Sequence, residues 1–159
     1  MAHSYVCVYV HVVFSTKDRR PLMPEEKTRS LWKYLAGIAN NYGMKALAAG
    51  GMPDHVHILL SLASEMSVAK AVNVLKSNSS KWMRAQSRQF AWQEGYAAFS
   101  VSTSGLSKVI DYISRQPEHH TGTPQETRLR PGVFELAEEA RCQIRSGVGF
   151  RIVSPLRGS

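Results

Sequence analysis

Cysteine is scarce: Cys7 and Cys142 are the only two in 159 residues. They form neither a disulfide framework nor a zinc-binding cluster, so the chain is expected to be a reduced, cytoplasmic protein. Long apolar runs are missing as well. The run YVCVYVHVVF, residues 5–14, has ten residues, about half of the ~20 that span a bilayer. No basic region precedes it, and Lys17, Arg19 and Arg20 follow it, which is the reverse of a secretion signal. It is read as a buried strand, and no membrane partner is expected. No segment repeats at a fixed period. Acidic residues are few, 12 against 20 Lys and Arg, giving a net charge of +8; such a field attracts polyanions, nucleic acid first among them. Lysine itself stops early. All eight lysines lie at or before Lys108, and the last 39 residues hold six arginines instead.

What is present fits one compact domain with a tail. The chain has 43% hydrophobic residues, enough for an ordinary core at a length close to the ~100–150 residues of a single domain. Residues 5–15 are rich in Val, Tyr and Phe, as a central strand should be. Pro24, followed by Glu25 and Glu26, marks a helix start. Leu31, Leu35, Ile38 and Tyr42 then recur at helical spacing, and Gly43 ends the helix. MKALAAGG and DHVHILLSL read as two more strands. Ser67 caps a second helix whose apolar side is Val68, Val72, Leu75 and Trp82. EGYAAFSVST is a fourth strand. A polar hinge, Ser102 to Gly105, leads into the helix LSKVIDYISRQ, which Pro117 ends. The order β-α-β-β-α-β is that of a ferredoxin-like α+β fold, an antiparallel sheet with two helices on one face. Residues 1–120 are assigned to this domain, with one further helix after the fourth strand. Residues 121–159 are assigned to an Arg-rich C-terminal tail.

Side chains alternate across a strand, so His55, His57, Leu59 and Ser61 share one face and Val56, Ile58, Leu60 and Leu62 the other. The second set should pack under the helices, and the first should look to the open face. Two imidazoles one pleat apart can converge on a divalent cation. Two are too few for a closed zinc site, which points to a catalytic site completed from elsewhere. Asp54 precedes the pair and is expected to point to the opposite face. In the late helix Tyr112 and Gln116 are neighbours at i and i+4, with Lys108 one turn back. Leu106, Val109, Ile110 and Ile113 form a separate docking stripe. A cation on two histidines and an amide would polarise a phosphate, and the Tyr112 phenol could attack phosphorus. Lys17, Arg19, Arg20, Lys76, Lys81, Arg84 and Lys108 are the candidate phosphate contacts.

Four stretches, HVVFSTKDRRPLM, PDHVHILLSL, FAWQEGYAAFSVS and YISRQPEHH, taken in this order, resemble the single-tyrosine HUH transposases of small bacterial insertion sequences, REP-associated tyrosine transposases included. The resemblance implies Tyr112 as nucleophile and His55, His57 and Gln116 as ligands of Mg²⁺ or Mn²⁺. It implies cleavage and rejoining of single-stranded DNA with hairpin ends through a 5′-phosphotyrosine intermediate. It further implies a homodimer in which the tyrosine helix of one subunit completes the site of the other. The Arg-rich tail departs from the ending usual in that family. Other readings are a domesticated relative that nicks genomic palindromes, a replication-initiator nicking enzyme, and a binding module without chemistry. Such modules stack bases on sheet aromatics, where this sequence offers histidines.

Overall fold

The computed structural model describes residues 5–115. Four strands, β1 (Tyr9–Ser15), β2 (Lys45–Met52), β3 (His55–Ser61) and β4 (Ala97–Val101), alternate with helices α1 (Glu25–Asn41) and α2 (Val68–Gln86), and α3 (Leu106–Ser114) follows β4. The sheet order is β2-β3-β1-β4, with every pair antiparallel. Each β-α-β crossover therefore skips one strand, which is the expected ferredoxin-like α+β topology. The expected tail, Cys142, Pro117 and Gln116 lie outside the described residues. Cys7 is an exposed free thiol, and no described helix is long and apolar enough to cross a membrane.

One face of the sheet carries the main core. Val10, Val12 and Phe14 from β1 and Val56, Ile58 and Leu60 from β3 meet Leu31, Leu35 and Ile38 of α1 and Val72, Leu75 and Met83 of α2. Their spacing, two along strands and three or four along helices, is what places them there. Ser67 caps α2, its hydroxyl accepting from Lys70 N at 3.1 Å. Two details differ from the sequence reading. Residues 5–8, expected within the first buried strand, are exposed and precede β1. Tyr42 is exposed at the end of α1, where the chain turns through Gly43 at φ 74°. Trp82 packs against the core edge, on the expected apolar side of α2, and stacks on Tyr34, rings 4.7 Å apart and 15° from parallel.

The other face is covered too, by α3, which corrects the expectation of an open face. The supposed hinge is a 3₁₀ turn, Thr103–Gly105, that runs straight into the helix. Alpha-3 lies over β2 and β3. Gly50 makes this approach possible: a Cβ there would stand 2.5 Å from the Ile113 carbonyl oxygen. Glycine at this point is a packing requirement of the helix above it.

Candidate active site

The antiparallel register builds the site. Val13 pairs with His57, Ser15 with His55 and His11 with Leu59. Gly50 pairs with His57 from the other side. Paired residues share a face, so His11 stands diagonal to His57 across two neighbouring strands, within reach of a long side chain. All three histidines are buried, His11 at 5%, His55 at 4% and His57 at 3% exposure. The rings of His55 and His57 are 5.2 Å apart. His11 and His57 are stacked at 5.2 Å, 30° from parallel, and joined by a 3.0 Å hydrogen bond between His11 Nε2 and His57 Nδ1. Burial pushes His11 down to about 4, so it is neutral at neutral pH. His57, expected to look to an open face, is instead packed against its neighbours.

Asp54 is a second correction. It lies in the turn before β3, so strand alternation does not fix its direction, and its side chain folds back onto His55. His55 Nδ1 donates to Asp54 Oδ1 at 2.7 Å, and Arg19 Nη2 donates to Asp54 Oδ2 at 2.9 Å. Partial burial works against ionising this carboxyl, but the bond and charge of His55, then those of Arg19, outweigh it and hold Asp54 well below the usual carboxylate range. An ionised carboxylate only accepts, so the proton in this bond sits on His55 Nδ1. Arg19 reaches Asp54 from a strained turn: Asp18 and Arg19 both have positive φ, 56° and 54°. Such backbone at non-glycine residues costs energy and persists only where its surroundings hold it. Here Asp18 N donates to Gln93 Oε1 at 2.9 Å, and Thr16 N donates to the Asp54 carbonyl at 2.9 Å.

Tyr112 comes down from α3 onto this cluster. It belongs to the buried stripe with Val109 and Ile113, not to a separate polar stripe, while Lys108 is exposed. Its ring meets His57 edge-on at 5.6 Å and His11 at 6.2 Å. This docking takes place on the sheet of the same chain. The His55–His57 pair, with each Nδ1 engaged by a neighbour, offers two nitrogen donors of the kind a divalent cation takes. Among the described residues no cluster of three His, Cys, Asp or Glu suited to a metal occurs, and the expected third ligand, Gln116, lies outside them.

The basic residues divide. Lys17, Arg20, Lys81, Arg84 and Lys108 are exposed. Arg19 is tied to Asp54. Lys76 is a structural tether: its ammonium donates to the Gln93 and Gly95 carbonyls at 2.6 and 2.9 Å, and burial lowers its pKa. It fixes α2 to the loop before β4 and drops out of the surface set.

Comparison with known proteins bears on the family and the fold. Residues 4–116 match the family of IS200-like transposases. The chain is 32% identical over 142 residues to the transposase for insertion sequence element IS200 of Salmonella typhimurium, covering 83% of this chain and 91% of that one. It is 27% identical over 114 residues to the ISDra2 transposase TnpA of Deinococcus radiodurans, covering 67% and 81%. In fold it is similar to a REP-associated tyrosine transposase solved bound to a REP hairpin, with a TM-score of 0.59 at 15% identity, over 97% of this chain and 98% of that one.

Proposed function

The chain belongs to the IS200-like transposase family, and within it we propose that the protein cleaves and rejoins single-stranded DNA through Tyr112. The observation that carries this reading is the edge-on seating of the Tyr112 ring 5.6 Å from His57, which brings a nucleophile to a pair of metal-type ligands. The Tyr112 oxygen attacks a phosphodiester phosphorus. A tyrosine–phosphate bond forms as the bond to the 3′-oxygen breaks, leaving a 5′-phosphotyrosine and a 3′-hydroxyl. Rejoining is the same displacement with a 3′-hydroxyl as nucleophile. His55 and His57, with Gln116, would hold Mg²⁺ or Mn²⁺, which would neutralise charge on the phosphate oxygens. Asp54 orients His55, and Arg19 holds Asp54. The water-poor setting under α3 strengthens each of these interactions.

The experiment is incubation with single-stranded hairpin DNA and Mg²⁺, followed by denaturing electrophoresis. A covalent protein–DNA adduct is expected from the native chain and none from Tyr112→Phe. Native protein that cuts without an adduct, or a Phe variant that still forms one, sinks the mechanism. Hairpin DNA as the substrate draws support from the hairpin held by the similar structure. Lys17, Arg20, Lys81, Arg84 and Lys108 serve as the phosphate contacts. The protein acts as a homodimer, for which β2 and β4 offer the two outer edges of the sheet.

A further inference from the structure

We propose that His11 is a positioning residue for His57: its Nε2 lone pair accepts the His57 Nδ1–H and so fixes Nε2 of His57 as the nitrogen that binds the cation. The proposal rests on the reading of His57 as a metal ligand. Two imidazole nitrogens 3.0 Å apart share one proton, and there are two ways to do so. If His11 Nε2 carried it, His57 Nδ1 would be the acceptor, and the second nitrogen of a neutral His57 would hold that ring's proton. Neither nitrogen of His57 could then give a lone pair to a metal. Ligation by His57 therefore requires it to be the donor at Nδ1 and His11 the acceptor.

His55 shows the same arrangement with a different partner, since Asp54 takes its Nδ1–H at 2.7 Å. Each member of the pair thus has Nδ1 engaged by a side chain from outside the pair. Ligating histidines are oriented in this way in general, and loss of the outer partner weakens metal binding. His11 is well placed for the task. It sits in the central strand β1, it is 5% exposed, and its ring is stacked on that of His57. Phe99 of β4 packs against its ring at 6.3 Å, on the side of the strand away from β3. The ring is held between sheet neighbours and cannot easily swing away.

Two measurements test this. Long-range ¹H–¹⁵N spectra of the native, metal-free protein at neutral pH report the tautomer of His57: protonation at Nδ1 is expected, and protonation at Nε2 overturns the proposal. Mn²⁺ affinity is then read by electron paramagnetic resonance for His57→Ala, His11→Leu and His11→Gln, each checked by thermal melting. His11→Leu should weaken Mn²⁺ binding by about 10–100-fold, whereas His11→Gln, whose amide oxygen can accept the same proton, should stay closer to native. Native affinity in His11→Leu, or equal losses in both variants, overturns the proposal, the second result meaning that His11 only fills space. If His57→Ala binds Mn²⁺ as the native chain does, the ligand reading itself falls. A His11→Leu chain that fails to fold leaves the tautomer measurement to decide.

Discussion

Both faces of the sheet are buried, yet they are built from different material. Under α1 and α2 the strands contribute Val10, Val12, Phe14, Val56, Ile58 and Leu60. Under α3 they contribute His11, Ser15, His55, His57 and Leu59, no more than 5% exposed. The apolar face gains stability from every methylene it removes from water. The histidine face must first satisfy its polar atoms, because a buried polar group without a partner costs ~1–3 kcal/mol. It does so with partners that, in the proposal above, also set tautomers, His11 for His57 and Asp54 for His55, while Arg19 holds Asp54. The comparison teaches that one face holds the sheet together and the other holds a chemical state. Burial alone does not tell them apart.

Variants on the two faces should separate these roles. The largest effect is expected from Tyr112→Phe, which removes only the oxygen proposed to attack. The covalent adduct should be abolished and cleavage should fall by about 10³-fold or more, as for other nucleophile deletions, with the melting temperature little changed. A sharper contrast comes from adjacent residues that face opposite ways. His57→Ala should abolish metal-dependent cleavage and also cost ~1–3 kcal/mol by stranding its buried partner His11. Ile58→Ala should cost ~2–5 kcal/mol yet leave cleavage per folded molecule unchanged. Denaturant melts and single-turnover assays on both decide the matter, and equal activity losses would erase the distinction between the faces.

Gly50→Val acts on the histidine face without touching a proposed reacting group. Its side chain would collide with the Ile113 carbonyl, so α3 should lift and Tyr112 should lose its seat. A loss on the order of 10²-fold in cleavage is expected, the scale of an ångström's misplacement. The core under α1 and α2 should still melt cooperatively. Native activity would show that the seating of α3 does not govern the reaction. The outer surface should respond more gently. DNA affinity should fall with salt at a log–log slope of about −0.7 per phosphate contacted on a single strand. Removing exposed Lys17 or Lys81 should reduce that slope, while Lys76→Gln should lower stability and leave it unchanged. An identical slope for the Lys17 and Lys76 variants would return Lys76 to the DNA surface. The smallest effect concerns assembly: light scattering at micromolar concentration should give twice the chain mass, and a monomer would end the homodimer proposal.

The amino-acid sequence by itself determined the order of elements, the apolar face of each strand and helix, and the prominence of His55, His57 and Tyr112. These follow from short-range rules, since alternation along a strand and three-to-four spacing along a helix are properties of neighbouring residues. Tertiary structure alone decided the rest. His11 lies 46 positions from His57, and only the register of β1 on β3 puts the two rings together. In sequence HVVF reads as one more apolar strand, so nothing local marks its histidine. Asp54 reads as facing away from the pair only if strand alternation is extended into the turn that holds it, where alternation does not apply. Lys76 looked like a surface charge because helical spacing cannot show that two carbonyls of a later loop come to rest beside it. The histidine face looked open because α3 has few residues and its docking depends on Gly50, whose meaning appears only when the Ile113 carbonyl is packed against it. Periodicity is written in neighbouring residues, whereas register, turn direction and close approach depend on parts of the chain that meet only after folding.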